Sequence, residues 1–388
     1  MLLRCSLLTE REKRVITIFS RYGALSKKGL AEKEEMSWAT AVKLVSRLEN
    51  MGIVQCIGAG PQPETTGKNP LLYDLSDRNP LVIGIDVAYS TTHLILTNLK
   101  KTVLAQQTSK TPQKPSLSEL QHFLVEQCLK FIHQNLSGND SLKGVGIGIP
   151  LWLAKGEPTP FALLQKALET HCRTRVRIEN NVRNYTMYKK WGGKAFSLDN
   201  FILITIRNGI GTGIFYRGEL LRGIHGMAGE LSHLTVVDQG QTCRCGRGGC
   251  LETLLNQDVL YQQYVQQIRK EMPLASATDT KADIRKGLAD LFSLAKHGNQ
   301  NAVAIIKQAA YHLAIGVEAL LKILDIPDVI IVADFGPDGD ALLPYLHAEV
   351  SQRLLPGTEM SARYFPLEQL GFAQGAALLI LQKYFTRL

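Results

Sequence analysis

Three cysteines stand close together in the run CRCGRGGC, as Cys243, Cys245 and Cys250. Glycines separate them, so the chain can wrap tightly around one ion. A structural zinc takes four sulfur or nitrogen ligands in a tetrahedron, and three thiols leave one position open. His233, upstream in the segment GELSH, can supply that ligand. The pattern therefore predicts a centre that holds one Zn²⁺ per chain, with redox-active or incidental thiols as the alternatives.

Polar side chains that suit a sugar lie around this run. Glu230 comes shortly before the histidine, and Glu252 follows the last cysteine. Asn180 and Asn181 end a strand-like segment farther upstream. Sugar hydroxyls both donate and accept hydrogen bonds, so convergent carboxylates and amides suit them. Taken singly, each residue is more typical of a helix cap or an exposed polar group, and Glu252 could simply complement a helix N-terminus.

The composition is that of an ordinary folded protein. Of 388 residues, 45% are hydrophobic and 20% charged, which excludes disordered, collagen-like and coiled-coil chains and favours two or three domains. No apolar run approaches the ~18 residues of a membrane helix, and the first residues lack the pattern of a signal peptide. We therefore expect a cytoplasmic protein without membrane insertion. The net charge of +9 permits nucleic-acid binding but points to no particular surface.

The first 78 residues form a pattern typical of a winged helix-turn-helix. Thr9, Ser26 and Ser37 each precede an apolar-periodic run and predict the starts of three helices. Two short strands follow, at 53–56 and 71–75, around the Gly/Pro-rich loop GAGPQPETTGKNP. Three helices followed by such a hairpin predict a DNA-binding domain over residues 1–78.

The third helix carries hydroxyl and basic side chains on its exposed face, which suits phosphate contacts and entry into a DNA groove. A small helical protein-interaction domain with a solvated polar face is the alternative. The predicted DNA-binding residues are Ser37, Trp38, Thr40, Lys43 and Arg47 on the helix and Lys68 in the wing loop.

The remaining chain, residues 79–388, has the pattern of an α/β protein with two lobes. Strand, turn, strand, turn, strand is predicted from Leu81 onward, and a weak repeat of this order begins at Phe201. A long final helix is predicted over Leu367–Phe385. The duplication indicates one lobe from 79–195 with 367–388 and a second from 196–366, with a cleft between them.

The stretch Gly209–Leu254, with CxCGxxGCxE preceded by GExxH, resembles the signature of the ROK family of repressors, open reading frames and kinases. The resemblance extends along the whole chain, including GFAQGAA at Gly371–Ala377. It implies an actin-like sugar-kinase fold. An N-terminal winged helix occurs in the repressor branch, which includes xylose-, glucose- and N-acetylglucosamine-responsive proteins, whereas the sugar kinases usually lack it.

The resemblance implies roles for individual residues. His233, Cys243, Cys245 and Cys250 match the zinc ligands, and Asn180, Glu230, His233 and Glu252 match residues that contact the sugar. Asn181 stands where the kinases carry the catalytic aspartate. An amide cannot take the proton of an attacking hydroxyl, although it can still hydrogen-bond to it.

Other kinase features also differ. The phosphate loop DxGGT is replaced by Asp86-Val-Ala-Tyr-Ser-Thr, and Asp334 and Phe335 intrude into a glycine loop that would hold adenosine. Leu151 replaces a glycine near the sugar site. Only the glycine turn at 209–213 keeps the appearance of a phosphate loop, and a plain turn between strands explains it equally.

These features predict a bacterial, cytoplasmic, sugar-responsive repressor without enzyme activity. Its expected partners are operator DNA, a sugar or sugar phosphate effector, and further copies of itself in a homodimer or homotetramer. Two alternatives stand beside this prediction. One is a regulator controlled by a protein partner, with a vestigial cleft. The other is an active ATP-dependent sugar kinase that uses a base other than Asn181.

Overall fold

Three helices and a three-stranded sheet make up the N-terminal segment. The predicted caps are confirmed: the side chains of Thr9, Ser26 and Ser37 each accept a hydrogen bond from a backbone N–H in the first turn of a helix. The elements are α1 Glu10–Tyr22, β1 Leu25–Ser26, α2 Lys27–Lys33, α3 Trp38–Asn50, β2 Val54–Ala59 and β3 Leu71–Leu75.

The wing contains one strand more than the sequence predicted. The two-residue strand β1 pairs antiparallel with β3, and the sheet order is β1-β3-β2. A two-residue strand shows no alternating pattern of side chains, so no periodicity could reveal it. The arrangement is a winged helix-turn-helix, as predicted.

The first five-stranded sheet lies in the next part of the chain. Its order is β6-β5-β4-β7-β8, in which β4, β5 and β6 are antiparallel neighbours and β4, β7 and β8 run parallel. The elements are β4 Leu81–Val87, β5 Thr91–Thr97, β6 Val103–Lys110, α4 Leu117–Asn135, β7 Leu142–Ile149, α5 Pro160–Cys172, β8 Val176–Asn180 and α6 Asn181–Gly192.

The second five-stranded sheet repeats this topology, with order β11-β10-β9-β12-β13 and the same change from antiparallel to parallel pairing. The predicted duplication is therefore confirmed, and together with the winged helix it gives the expected fold class. The elements of this region are β9 Phe201–Ile206, β10 Ile210–Tyr216, β11 Glu219–Leu220, α7 Leu251–Leu254, α8 Gln257–Gln267, α9 Lys281–Lys296, α10 Gln300–Leu324, β12 Asp328–Ala333, α11 Leu343–Ser351 and β13 Ser361–Pro366. The last helix, α12 Gly371–Leu381, belongs to the first sheet.

The final helix is shorter than predicted. Strand β13, which the sequence pattern did not reveal, occupies residues 361–366, and α12 begins only at Gly371. Helix α12 packs on the first sheet at strand glycines: a Cβ on Gly84 would lie 2.0 Å from the carbonyl oxygen of Ala373, and one on Gly146 would lie 1.7 Å from that of Ala376. Only glycine permits this close approach of helix and strands.

Helix α10 is long and apolar enough to cross a membrane by length and composition alone. Ala302, Ile306, Leu313 and Val317 on this helix lie in the main apolar cluster of the second sheet and its helices. The core helix of a folded domain satisfies the same test, so this one helix is weak evidence for a membrane span.

The computed structural model describes residues 8–61, 69–138, 140–150, 160–192, 195, 197–268 and 280–385. The predicted residues Lys68 and Leu151 lie outside these ranges. Two compact units make up the chain: Met1–Tyr188 with Leu370–Leu388, and Lys189–Gln369.

Polar contacts connect the winged helix to the first sheet within the first unit. The Lys100 ammonium, in the β5–β6 turn, lies 2.8 Å from carboxylate oxygens of both Asp74 and Asp77. Arg78 donates to both carboxylate oxygens of Asp140, at 2.6 and 2.8 Å, and this guanidinium holds the pKa of Asp140 well below its usual range. The domain boundary predicted at residue 78 falls inside this network.

Candidate metal centre and effector residues

The predicted metal ligands come together in the second unit. The ligand atoms of His233, Cys243, Cys245 and Cys250 all lie within 4.8 Å of one another. Cys243 Sγ lies 3.5 Å from His233 Nδ1, and Cys245 Sγ lies 3.6 Å from Cys250 Sγ. Sulfur atoms that each lie ~2.3 Å from a tetrahedral zinc ion are about 3.8 Å from one another. The four side chains therefore fit a single tetrahedral metal ion.

Short turns and glycines shape the loop that holds the thiols. His233 ends a 3₁₀ helix, Leu231–His233, and two isolated bridges, Thr235 with Cys250 and Thr242 with Gly248, close the loop. Gly249 has φ +72°, and a Cβ there would lie 1.9 Å from a carbonyl oxygen, so only glycine fits. The chain can thus bring three thiols and an imidazole together without a strand or a long helix.

The thiols differ in how readily they ionise. Hydrogen bonding from the Arg247 backbone N–H lowers the pKa of Cys245 to about 7. Burial raises the pKa of Cys250 to about 12. A coordinated cation favours the thiolate of every ligand.

Glu252, a predicted sugar contact, is buried and forms an ion pair. One guanidinium nitrogen of Arg244 lies 2.7 and 2.8 Å from its two carboxylate oxygens. Arg244 stands between two metal ligands in the sequence, and sequence reasoning did not single it out. Its position inside the CxC motif was the only signal that could have found it. Glu230 is half-buried immediately before the 3₁₀ helix that contains His233.

Asn180 and Asn181 lie in the first unit, at the junction of β8 and α6. The Asn180 side-chain oxygen accepts hydrogen bonds from the backbone N–H groups of Val182 and Arg183, at 2.9 and 3.1 Å. Asn180 therefore caps α6 in this conformation, the alternative weighed for such residues from the sequence. Asn181 is the first residue of α6 and is partly exposed.

The residues that depart from the kinase pattern fall into two environments. Tyr89 is exposed in the turn between β4 and β5. Phe335 is buried and stacks on Phe292, with ring centroids 4.2 Å apart. Asp334 is paired with Arg285 at 2.9 Å, although burial raises the pKa of its carboxyl. A neighbouring cation therefore offsets the charge that Asp334 would carry into this loop.

At the start of α3, two of the predicted DNA-binding residues also serve the helix itself. Ser37 caps α3, and its hydroxyl lies 2.8 Å from that of Thr40. Trp38, the first residue of α3, is 58% exposed, which is unusual for a side chain of its size. The start of α3 thus presents hydroxyls and one aromatic ring on its exposed surface.

The two basic residues on α3 differ. Lys43 is exposed, whereas the guanidinium of Arg47 lies 2.8 Å from the carboxylate of Glu12. Glu12 is fully buried and also accepts a hydrogen bond from the backbone N–H of Thr9. Arg47 therefore connects α3 to α1, a structural role that the sequence analysis did not assign to it.

Known proteins match the chain over most of its length. A ROK family sequence profile matches residues 82–383. The xylose repressor of Bacillus subtilis (strain 168) is 25% identical over 371 residues, covering 93% of this chain and 92% of that protein. A glucokinase of Halalkalibacterium halodurans is 26% identical over 249 residues, covering 60% of this chain and 75% of that protein.

The fold is also found in a solved structure. The crystal structure of a ROK family transcriptional regulator, described as a homolog of the E. coli MLC protein, superposes with a TM-score of 0.75 at 21% identity. It covers 97% of this chain and 96% of that one. The winged helix and both sheet units are therefore shared with a known fold.

Proposed function

Because the chain belongs to the ROK family, we propose that it is a DNA-binding transcriptional repressor of carbohydrate-utilisation genes, controlled by a sugar or sugar phosphate. One observation carries this proposal. The family profile begins at residue 82, after the winged helix, and the xylose repressor matches 93% of the chain whereas the glucokinase matches 60%. The segment before the family profile has the winged helix-turn-helix fold, which suits DNA binding and which a sugar kinase does not need.

The DNA side of the proposal assigns the exposed start of α3 to a major groove. Trp38 and Lys43 are its exposed candidates, with Ser37, Thr40 and Arg47 beside them and Lys68 in the wing. A homodimer or homotetramer would present two winged helices to a palindromic operator, with half-sites one or more helical turns apart. Such a protein acts in the bacterial cytoplasm, where the operator is.

The sugar side of the proposal assigns Asn180, Asn181, Glu230, His233 and Glu252 to the effector, as the family resemblance implies. His233 Nδ1 faces the thiols, so the sugar contact falls to Nε2. For Asn180 to contact a sugar, its Nδ2 must do so, because Oδ1 caps α6. Effector binding changes operator affinity only by its difference in affinity for two states, typically ~1–3 kcal/mol.

The metal side of the proposal assigns one Zn²⁺ to His233, Cys243, Cys245 and Cys250. Three thiols and one imidazole are a donor set that zinc favours over harder cations. The ion, when bound, supplies a structural cross-link. The residues of the loop then hold His233 and Glu252 in position, so metal loss would weaken both folding and the sugar response.

The proposal includes no catalysis. Asn181 stands where a kinase needs a carboxylate, and an amide has no basic lone pair near neutral pH. Phe335, which replaces part of a glycine loop, is packed into the core of the second unit. A test for ATP-dependent phosphorylation of the effector addresses this directly: measurable turnover would overturn the non-enzymatic assignment.

The experiment for the whole proposal has two stages. A thermal-shift screen tests pentoses, hexoses, amino sugars and their 6-phosphates, with ATP–Mg²⁺ in a separate well, because a ligand of the folded state raises the melting temperature. An operator is then selected from random duplexes, and its binding is measured with and without the sugar found. A shift with one sugar, and a change in operator affinity caused by it, is the expected result.

Other results would favour a different function. A shift with ATP–Mg²⁺ together with sugar turnover would favour a kinase. No shift with any sugar, in a protein that selects an operator, would favour a regulator controlled by another protein. Failure to enrich any duplex would overturn the DNA-binding assignment.

A further inference from the structure

Arg244 occupies an unusual place between the metal loop and a candidate effector residue. In sequence it lies between Cys243 and Cys245, and its guanidinium contacts the carboxylate of Glu252. The pair is asymmetric in exposure, since the Arg244 side chain is 44% exposed and that of Glu252 only 9%. A carboxylate buried to that degree depends on its cationic partner much more than a surface carboxylate does.

The backbone of the metal loop determines where this arginine can reach. The Cys243 N–H donates to the carbonyl of Arg247 at 2.8 Å, and the Gly246 N–H donates to the carbonyl of Cys243 at 2.8 Å. These bonds hold residues 243–247 in a tight turn with Arg244 inside it. Any change that relaxes the turn therefore moves the guanidinium.

Space for the ion pair comes from a third part of the chain. Gly209, in the β9–β10 turn, lies beside both partners: a Cβ there would be 2.7 Å from a guanidinium nitrogen of Arg244 and 3.3 Å from a carboxylate oxygen of Glu252. A bulkier residue at this position would push the two groups away. The glycine turn, the metal loop and the start of α7 thus meet at one ion pair.

We propose that Arg244 is a positioning residue that couples metal occupancy of the cysteine loop to the orientation of the Glu252 carboxylate. The role toward the effector rests on the proposed function, whereas the role toward the metal does not. The metal ligands hold the turn, the turn holds Arg244, and Arg244 holds the carboxylate. Since coupling between two sites is reciprocal, loss of the ion pair also weakens the metal centre.

The metal arm of the test uses chelator competition on the full chain. The variants are R244A, E252A, the double variant R244A/E252A and the conservative variant R244K. Residues that hydrogen-bond to metal ligands typically change metal affinity by about 10–100-fold when replaced, and Arg244 would act less directly, through the backbone turn. We expect about a tenfold loss of Zn²⁺ affinity in R244A and in E252A, no further loss in the double variant, and recovery of most of the affinity in R244K.

R363A is the matched control. Arg363 is 45% exposed, lies in the same unit and pairs with Asp328 at 3.1 Å, away from the cysteine loop in sequence. It should keep wild-type Zn²⁺ affinity. Wild-type affinity in R244A, or losses in the single variants that add in the double variant, would overturn the proposal. If R244A does not fold, R244K and R244Q give the same comparison between a retained and a removed charge.

The effector arm repeats the sugar thermal shift in the same variants. R244A loaded with metal should lose most of the shift, and chelation should remove the wild-type shift to the same extent. A full shift in metal-loaded R244A would overturn the coupling to Glu252. A wild-type protein that responds to no sugar would overturn the effector part of the proposed function, while the metal arm would still decide the role of Arg244.

Discussion

The winged helix and the cysteine loop are ordered by different physical means. Val15, Ile16, Phe19, Leu30 and Leu48 of the winged helix are at most 2% exposed and form an apolar interior. The loop between His233 and Cys250, described throughout by the structure, contains two isolated bridges and mostly exposed residues. Burial of apolar surface, at about 25 cal/mol per Å², can stabilise the winged helix. The cysteine loop buries little apolar surface, so this contribution is small there.

This difference indicates which substitutions should destabilise each region most. A region with an apolar interior keeps its conformation when one polar contact is lost, although its stability falls. A region held by ligands loses its conformation when one ligand is lost, because metal binding then supplies the free energy of folding. The expected effects of substitutions therefore fall in order from the metal loop to the exposed surface of α3.

Removal of the metal proposed for the cysteine loop is the change with the largest expected effect. Cys250→Ser, or a chelator, should unfold the cysteine loop and lower the melting temperature of the second unit. Structural zinc contributes on the order of 10 kcal/mol in small folds, and a loop within a larger unit should show a part of this. Calorimetry measures it, with Cys56→Ser as a control, because Cys56 is exposed in β2. Equal melting curves for the Cys250 and Cys56 variants would contradict a structural metal.

Loss of the α1–α3 ion pair should be the next largest effect. Arg47→Ala leaves the fully buried carboxylate of Glu12 without its cation, which we expect to destabilise the winged helix by about 1–3 kcal/mol. Chemical denaturation measures this. The control is Lys28→Ala, which removes an exposed pair at 3.9 Å and should change stability by less than about 0.5 kcal/mol. Equal stabilities for the two variants would show that the ion pair between Arg47 and Glu12 does not stabilise the winged helix.

The junction between the winged helix and the first sheet should respond more weakly. Lys100→Ala removes two contacts of 2.8 Å, to Asp74 and Asp77, in a partly exposed network, with an expected cost of about 1 kcal/mol. Limited proteolysis should then cleave residues 76–80 faster than in Lys110→Ala, a control at an exposed lysine on β6. Identical cleavage rates would show that other contacts hold the junction.

The smallest effect on stability is expected at Lys43. Because this side chain is exposed, Lys43→Ala should change folding stability by less than about 0.5 kcal/mol. If Lys43 contacts a phosphate, the variant should bind all DNA sequences more weakly and reduce the salt slope of binding by about 1. Lys286→Ala, an exposed lysine on α9, serves as the control. An unchanged slope would remove Lys43 from the DNA interface.

Much of the fold could be predicted because its signals are local. A helix start depends on a cap and the following turn, so Thr9, Ser26 and Ser37 were recognisable without tertiary contacts. The duplicated order of strands was visible as repeated apolar runs. Strand β1 has two residues, and β13 alternates weakly between half-exposed and exposed residues, so neither was recognised.

Roles of single polar residues were harder to predict. Asn180 caps a helix and Arg47 pairs with a buried carboxylate, and these contacts stand beside the ligand roles predicted for both residues, which stay predictions. A polar side chain has several satisfactory partners, and sequence spacing ranks only those nearby in the chain. Arg47 and Glu12 are 35 positions apart, and helix packing brings them together.

By itself, the sequence determined the elements that rest on short-range chemistry: helix caps, the repeated strand order and the three thiols in one glycine-rich run. Only the tertiary structure decided which charges meet, as in Arg244 with Glu252 and Arg47 with Glu12. The physical reason is the separation along the chain over which each interaction acts. Caps depend on neighbours within about one helical turn, whereas an ion pair between elements depends on how the rest of the fold brings those elements together.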